Sequence, residues 1–389
     1  MLNPKTNLRE LAYIVSIDEI KPIPNYDRVE YVRTSGWWVI CKKGQFQVGD
    51  LAVFIEIDSK TPATEPFSFL EKKHYKIKTQ KMCGVISQGL LMSFEDFGWD
   101  KDYHKLGDLV TQELGITYSV KEDNKRKAPG VDKYKAMVSR KPKLFKKPWA
   151  RWMMKRDWGK KVMFLLFGRK RDKRASWPSH ICSKTDVERI QNMPFLLGDE
   201  REFIATEKID GSSATFAAER GRFGKISYWV CSRNVVFKDY NQPCYYDSNI
   251  YHEMYQKYGI RDILTRMLKD LNVDNIAIQG EVYGDGVQKR DYSLTGGKHR
   301  LMVFHIVSNG KKFPMERVES LCEAYGLPHV PILDSSYHIP SDIDELRAYV
   351  EGAPSKLDGK PREGIVFYDK ETGQTYTKFV SPNYLLKYH

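Results

Sequence analysis

Residues 207–213 read Glu-Lys-Ile-Asp-Gly-Ser-Ser, and they close a predicted β-strand over residues 203–207. Lys208 follows the alternating strand, Asp210 comes two residues later, and Gly211 permits a tight turn beside a phosphate. A lysine nucleophile must lose its proton from an ordinary pKa of about 10.4, which burial or a neighbouring cation can lower. The pattern Lys-x-Asp-Gly is short, however, and arises by chance in roughly one chain in five of this composition.

The chain contains a second copy of this pattern at residues 356–359, Lys-Leu-Asp-Gly. Only 30 residues follow it, too few for the rest of an active-site domain. We therefore interpret the second copy as a surface turn, since glycine and aspartate are common turn residues.

Further residues with suitable chemistry follow the first copy in a regular order. Each one taken alone has an ordinary structural explanation, such as an exposed strand end, a core aromatic side chain or a solvated charge. As a set, they indicate a site assembled from several strands. They are Arg233 within Ser-Arg-Asn, Glu281 after an apolar strand, Phe304 inside another strand, Glu363 at the start of a further strand, and Lys378 near the C-terminus.

This ordered set resembles the ATP-dependent DNA and RNA ligases and the mRNA capping nucleotidyltransferases. The resemblance covers roughly residues 200 to 389 and is specific as a set, although each motif is short. Residues 208–211 resemble motif I, Arg233 the basic residue of motif Ia, Glu281 the acid of motif III, Phe304 the aromatic residue of motif IIIa, residues 363–366 motif IV, and Lys378 a lysine of motif V.

The resemblance implies covalent catalysis by Lys208. Its amine would attack the α-phosphorus of ATP and hold AMP, which would pass to an RNA 5′-phosphate before a 3′-hydroxyl seals the ends. Lys378 would contact the α-phosphate, while Asp210 and Glu363 would hold a divalent metal directly or through waters. The implied catalytic residues are Lys208, Asp210, Glu363 and Lys378.

The resemblance also implies a set of nucleotide-binding residues: Glu207, Lys208, Arg233, Glu281, Phe304 and Lys378. In that set Glu281 suits a ribose hydroxyl, Arg233 the sugar–phosphate and Phe304 stacking on adenine, while Glu207 helps to place the base. Oxygen ligands favour Mg²⁺ or Mn²⁺. The candidate metal ligands are Asp210, Glu281 and Glu363.

One position departs from the ligase pattern. Motif V often carries two lysines spaced as Lys-x-Lys, but Tyr376 stands at the first of these positions. The role of Tyr376 is therefore open. Lys387 is either a substitute for the missing lysine or a solvated residue of the tail.

The N-terminal residues 1–118 read as short β-strands, predicted at 11–17, 29–32, 37–41 and 51–57 and separated by turn residues. Such strands indicate a small barrel. Together with Gly36-Trp37-Trp38 and Gly49-Asp50, they resemble the OB-like module that precedes the catalytic domain of nick-sealing RNA ligases. The lead-in to the catalytic domain, residues 184–192, adds to this resemblance.

The region 119–175 differs sharply in composition. Residues 121–174 contain 21 Lys and Arg against 5 Asp and Glu, a local net charge of +16 in a chain whose total is +13. Trp149, Trp152 and Trp158 lie among these cations. We leave two interpretations open, a solvated linker and a clamp on the RNA backbone. Trp149, Trp152 and Met153 also fall on one face of a possible helix.

The predicted fold class is α+β: a nucleotidyltransferase (ATP-grasp-like ligase) domain over residues 176–389 behind an all-β OB-like barrel. Catalytic-domain strands are predicted near 203–207, 227–230, 276–279, 301–307, 364–368 and 375–379, and helices near 251–271, 315–325 and 341–349. The longest dense apolar run has six residues, Val162 to Phe167, which excludes a membrane span, and the scattered cysteines favour the cytoplasm.

The sequence thus predicts an ATP-dependent RNA ligase that acts on RNA with 3′-hydroxyl and 5′-phosphate ends, in a nicked duplex, as a monomer. A DNA ligase and a capping-type guanylyltransferase are alternatives. Both usually place an OB domain after motif V, whereas only 11 residues follow Lys378 here. A non-catalytic RNA-binding protein is a further alternative, although it does not need Lys208, Glu281 and Glu363 in register.

Overall fold

The computed structural model describes residues 9–118, 144, 147–163, 176–238, 242, 244–246 and 248–388. The chain forms two compact units, one made of residues 1–118 with 177–389 and the other of residues 119–176. Within the described residues, no helix has the length and apolar content needed to cross a lipid bilayer. The exact domain boundaries stay a prediction.

The N-terminal part of the first unit is all β, as predicted. Strands β1, β5 and β9 form one antiparallel sheet, and β2, β3 and β4 form a second. The β3–β4 hairpin turns at Ser35 and Gly36, whose φ angles of 47° and 77° match the tight turn that suits twisted strands. The strands are Ala12–Ser16 (β1), Glu19–Ile23 (β2), Tyr26–Thr34 (β3), Trp37–Lys42 (β4), Leu51–Ile55 (β5), Ser59–Lys60 (β6), Gln80–Met82 (β7), Val85–Ser87 (β8), Leu90–Met92 (β9) and Thr117–Tyr118 (β10).

The described part of the second unit forms two short helices, Pro148–Met154 (α1) and Asp157–Met163 (α2). Trp149, Trp152 and Met153 all lie on α1, so the predicted helix is confirmed. The Trp152 ring meets the Trp158 ring edge-on at 6.0 Å, and Arg156 lies 3.8 Å above the Trp152 ring. Most of the predicted basic segment lies outside the described residues.

The C-terminal part of the first unit contains two antiparallel sheets. One has four strands in the order β18-β11-β19-β20, and the other has six in the order β14-β13-β12-β15-β16-β17. Residues 209–211 connect β11 of the first sheet to β12 of the second, so Lys208 lies where the two sheets meet. The strands are Phe203–Lys208 (β11), Ser212–Arg220 (β12), Ile226–Ser232 (β13), Val236–Phe237 (β14), Asn275–Gly284 (β15), His299–Ser308 (β16), Lys311–Lys312 (β17), Ile332–Tyr337 (β18), Gly364–Asp369 (β19) and Thr375–Val380 (β20).

Five helices complete this part: Ile250–Lys257 (α3), Ile260–Asp270 (α4), Met315–Tyr325 (α5), Ile343–Glu351 (α6) and Pro382–Tyr388 (α7). Helix α4 buries Ile260, Ile263, Leu264, Met267 and Leu268, the spacing of a helix with one apolar face. These residues join the larger apolar core, which also includes β12, β15 and β16. The mixture of helices and antiparallel sheets confirms the α+β prediction.

The predicted single helix over residues 251–271 is wrong, because the structure divides it into α3 and α4. The division falls at Gly259, which adopts a left-handed conformation with φ of 60° that an α-helix cannot include. The predictions also omitted β12, β18 and α7. By contrast, helix α5 has the predicted bounds.

The N-terminal domain contacts the C-terminal domain near the start of α6 and at α7. Arg33 on β3 forms ion pairs with Asp344 at 2.9 Å and Asp342 at 3.3 Å, at the start of α6. Ile86 on β8 packs with Val380 and Leu385 in one apolar cluster at α7. The C-terminal helix α7 therefore contacts the N-terminal domain as well as its own.

Candidate active site

Strand β11 carries Lys208 to the end of the four-stranded sheet. In the antiparallel pairing of β11 with β19, Lys208 lies opposite Gly364, directly after Glu363. The Lys208 Nζ lies 2.7 Å from each carboxylate oxygen of Glu363. Two residues that are 155 positions apart in the sequence thus form an ion pair at the edge of the sheet.

This ion pair controls the protonation of the amine. Burial opposes the charged form of Lys208, but the carboxylates of Glu363 and Glu281 outweigh burial and raise the pKa of Lys208 above its ordinary value. The lowering that a nucleophilic lysine needs is therefore absent in this arrangement. Activation of the amine requires a change in the charge around Glu363 and Glu281.

A cavity of about 330 Å³ opens beside Lys208. Its size falls within the usual range for small-molecule sites, about 300 to 1,000 Å³. All six predicted nucleotide-binding residues line it: Glu207, Lys208, Arg233, Glu281, Phe304 and Lys378. The structure therefore brings together residues from β11, β15, β16 and β20 with Arg233, which follows β13.

Glu207 offers an unused hydrogen-bond acceptor to this cavity. The side chain is only 1% exposed, and its Oε2 accepts a hydrogen bond from the backbone N–H of Lys356 at 2.8 Å. Its Oε1 is buried, and among the described residues no group donates a hydrogen bond to it. A buried acceptor without a donor is costly, which fits a ligand that supplies an N–H group here.

Phe304 and its neighbour His305 both line the cavity, although adjacent strand residues normally point to opposite faces. The pairing of β15 with β16 shifts register here. Gln279 pairs with His305, but the next residue, Gly280, pairs with Val303 and skips Phe304. Phe304 is the extra residue of this bulge, and a bulge redirects side chains. The register shift explains how an aromatic ring and an imidazole reach the same site.

The turn after Lys208 packs closely against β15. A Cβ atom at Gly211 would lie 2.3 Å from the Val282 carbonyl oxygen and 2.9 Å from the Glu281 Cγ. Only glycine fits at this position. The close approach brings motif I next to Glu281, whose strand residue pairs with Ser213 on β12.

Asp210 is 6% exposed and does not line the cavity. Its Oδ2 accepts a hydrogen bond from the Tyr384 hydroxyl at 2.9 Å, and its backbone N–H donates to the Tyr292 hydroxyl at 2.7 Å. Neither tyrosine was singled out in the sequence. They lie in a loop and in the final helix, where the motif order gives no signal.

Burial also shifts the protonation of two further predicted residues. It raises the pKa of Glu281 to about 8, and the positive charge of Lys208 offsets only part of this effect. Burial, together with the charges of Lys208 and Arg189, lowers the pKa of Lys378 to about 8. An anion near Lys378 would therefore favour its charged form.

The lead-in to the catalytic domain, residues 184–192, contributes to the lining of the cavity. The Thr185 hydroxyl lies 2.8 Å from the Ser213 hydroxyl, and Asp186 forms an ion pair with Arg233 at 2.5 Å. The backbone N–H of Lys378 donates to the Glu188 carbonyl at 3.0 Å. The segment that resembles a ligase lead-in thus contacts residues of the site directly.

Tyr376 and Lys387 lie apart from the cavity lining. The Tyr376 hydroxyl accepts a hydrogen bond from Arg201 at 2.7 Å, and the Arg201 guanidinium stacks on the Tyr376 ring at 4.6 Å. Lys387 is exposed on α7. Neither residue takes the place of the first motif V lysine in this arrangement.

The second Lys-x-Asp-Gly copy is a turn, as predicted. The Lys356 side chain is exposed, and its backbone N–H bonds Glu207. Asp358 forms a buried ion pair with Arg290. This turn therefore supports the site from outside.

The metal assignments stay a prediction. In the part of the chain that the structure describes, no group of three or more His, Cys, Asp or Glu side chains is arranged to hold a metal ion. Five further cavity residues lie outside the motifs, and their types carry no chemical signal in isolation. They are Thr206, Gln288, His305, Val330 and Tyr368.

Comparison with known protein families assigns both parts of the chain. Residues 201–389 match the RNA ligase family, and residues 11–94 match an OB-fold domain. None of the curated proteins that were compared with the chain matches it.

Solved structures of Naegleria gruberi RNA ligase resemble the chain over nearly its whole length. A mutant with ATP and Mn is 24% identical, with 98% of this chain and 99% of that chain covered and a TM-score of 0.63. The same ligase with PPi gives 24% identity, the same coverage and a TM-score of 0.60. At this identity the likeness shows the fold.

Fold and family together define a two-domain ligase, with an OB-fold domain before the ligase domain. The C-terminal part of the chain, residues 201–389, belongs to the RNA ligase family. The predicted fold class and the predicted enzyme class are thereby confirmed.

Proposed function

We propose that this RNA ligase is ATP-dependent and joins 3′-hydroxyl and 5′-phosphate RNA ends through AMP held on Lys208. The observation that carries the proposal is the cavity beside the Lys208 amine, which is lined by every residue predicted to bind the nucleotide. The Naegleria gruberi structures obtained with ATP and Mn or with AMP and Mn support the choice of nucleotide.

Three transfers make up the proposed reaction. The Lys208 Nζ loses its proton and attacks the α-phosphorus of ATP, so that an N–P bond forms and the bond to pyrophosphate breaks. An oxygen of the RNA 5′-phosphate then attacks the same phosphorus, the N–P bond breaks, and the RNA carries AMP. Finally the 3′-hydroxyl attacks the RNA 5′-phosphorus and AMP leaves.

We assign adenine to the part of the cavity lined by Glu207 and Phe304. The buried Glu207 Oε1 lacks a donor, and the exocyclic amino group of adenine supplies one. The Phe304 ring offers a stacking surface. Glu281 suits a ribose hydroxyl, and Arg233 the sugar–phosphate.

Lys378 is suited to the α-phosphate. Its amine lines the cavity near Lys208, and burial makes its charge costly unless an anion compensates it. The charge of Lys378 would stabilise the negative charge that develops on the phosphate, as fixed cations commonly do in phosphoryl transfer.

A divalent metal is the cofactor that we propose for the carboxylates. Glu363, Glu281 and Asp210 all act electrostatically on the single amine of Lys208, and carboxylate oxygens are ligands that suit Mg²⁺. These three residues, which do not form a ready-made metal site, would hold Mg²⁺ or Mn²⁺ with the help of waters. The ion would supply positive charge that weakens the attraction of the carboxylates for the Lys208 proton.

The substrate that we propose is RNA with its ends aligned in a nicked duplex, bound by a monomer in the cytoplasm. An OB fold is a common platform for nucleic acid. All six cysteines are free, which is in keeping with a reducing compartment.

The test is intact-mass spectrometry of the full-length protein after incubation with ATP and Mg²⁺ or Mn²⁺. We expect the mass of one AMP to be added, and peptide mapping should find it on Lys208. Attachment at another residue, or no attachment, would refute the proposal. A parallel incubation with GTP, followed by sealing assays on nicked RNA and nicked DNA, separates the capping-type and DNA-ligase alternatives.

A further inference from the structure

The Asp210 carboxylate is held by a residue of the C-terminal helix. The Tyr384 hydroxyl donates to the Asp210 Oδ2 at 2.9 Å, and Tyr384 is 0% exposed. On the backbone side, the Asp210 N–H is held by the Tyr292 hydroxyl at 2.7 Å. Because both tyrosines are buried, water is a poor substitute for either contact.

The tyrosines are fixed in turn by one buried cation. The Arg290 guanidinium lies 4.1 Å from the Tyr292 ring centre and 5.5 Å from the Tyr384 ring centre. Arg290 is 2% exposed, and it pairs with Asp358 and donates to the Pro361 carbonyl. A buried arginine needs all of these partners, so the geometry around it has little freedom.

The residue before this helix contacts the backbone of Glu363, and the helix itself contacts the N-terminal domain. The Ser381 backbone N–H, just before α7, donates to the Glu363 carbonyl at 2.8 Å. Leu385, next to Tyr384, packs with Ile86 of the OB-fold domain, and Lys81 of that domain donates to the Leu386 carbonyl. Helix α7 thus lies between the OB-fold domain and the residues around Lys208.

We propose that Tyr384 is a positioning residue for nucleotide transfer, which fixes the Asp210 carboxylate beside Lys208 and connects it to the docked OB-fold domain. The inference rests on the proposed transfer of AMP to Lys208. Tyr384 does not line the cavity, so it acts through Asp210 and not on the nucleotide. The second Lys-x-Asp-Gly turn takes part through Asp358 and Arg290.

The test compares Tyr384→Phe with Tyr388→Phe in the full-length protein. The control removes a hydroxyl from the adjoining ring of the same helix, whose centre lies 4.6 Å from the Tyr384 ring. In single-turnover adenylation over a range of ATP concentrations, Tyr384→Phe should lower the maximal rate about tenfold. The half-saturating ATP concentration should stay within about twofold of wild type, because the cavity lining is unchanged. Tyr388→Phe should change neither value by more than about twofold.

A double-mutant cycle separates positioning from general structural support. If Tyr384 acts through Asp210, then adding Tyr384→Phe to Asp210→Asn should slow the residual rate by less than about twofold. A structural role would instead give the same tenfold loss in both backgrounds, together with a lowered thermal midpoint. That result, or an unchanged rate in Tyr384→Phe alone, would overturn the positioning role. A wild-type protein that forms no Lys208 adduct would refute the proposed function as well, so the two failures are distinguishable.

Discussion

The chain contains Lys-x-Asp-Gly twice, and the two copies differ in the surroundings of the lysine and of the glycine. At residues 208–211 the lysine is partly buried in an ion pair, and the glycine is pressed against a neighbouring strand. At residues 356–359 the lysine is exposed, and the glycine has no atom within 4 Å of its missing Cβ. The difference shows that the environment of the lysine depends on the surrounding carboxylates and strands and not on the four-residue pattern.

The largest expected difference lies between the two lysines. Lys208→Ala should abolish attachment of AMP because no other amine occupies the end of β11, whereas Lys356→Ala should leave attachment intact. Labelled ATP and denaturing gels measure both variants directly. An adduct on Lys356, or on both lysines, would remove the distinction between the copies.

The two glycines should differ in how much a larger side chain disturbs the site. Gly211→Ala would place a Cβ 2.3 Å from the Val282 carbonyl oxygen, so β12 and β15 must move apart at the site. A displacement of this size should slow adenylation about 100-fold. Gly359→Ala meets open space and should cost only about 1 kcal/mol for its left-handed backbone, with φ of 69°. Equal adenylation rates in the two variants would contradict the close packing of the motif I turn.

The two aspartates should differ in how strongly folding stability depends on them. Asp358→Ala leaves the buried Arg290 charge unpaired, which commonly costs about 3 to 5 kcal/mol of folding free energy. Denaturant unfolding should show this loss. Asp210→Asn should instead lose adenylation with a smaller change in stability, since its neutral side chain still accepts the Tyr384 hydrogen bond. A large loss of stability in Asp210→Asn, with little loss in Asp358→Ala, would contradict this distinction.

The smallest predicted effect concerns the Lys208 proton. Because Glu363 and Glu281 raise the pKa of Lys208, the neutral amine is scarce at pH 8, and its fraction grows as pH rises. Glu363→Gln removes one of these charges and should lower that pKa, so an amine reagent should label Lys208 faster at a given pH. Lys356 is the internal control in the same spectra and should label equally in both proteins. Slower labelling of Lys208 in the variant would mean that Glu363 does not raise this pKa.

The sequence predicted the parts of the site that recur as short motifs on strands. Alternation identified β11, and helix α5 was found with its bounds because its apolar spacing is regular. The six nucleotide residues were named from motif order alone, and all of them line one cavity. Their individual roles stay predictions.

Other features depend on tertiary contacts that a single sequence does not display. The Phe304 bulge follows from a register shift between two strands, and the Asp210 contacts come from Tyr292 and Tyr384, which are 82 and 174 residues away. The raised pKa of Lys208 arises from the sum of opposing burial and charge effects, whose balance requires distances. The role of the basic segment stays a prediction, since Lys141, Lys143 and Lys146 lie outside the described residues.

The hydrogen bond between Lys356 and Glu207 has a consequence for sequence variation. Only the backbone N–H of residue 356 takes part, so its side chain is free to change. Proline is the one residue that lacks this N–H and would leave both oxygens of a buried carboxylate without a donor. At position 208 the constraint is reversed, because the proposed reaction uses the amine itself. Related chains could therefore lose the second copy of the pattern by a change at residue 356 alone, with no effect on the chemistry of the first.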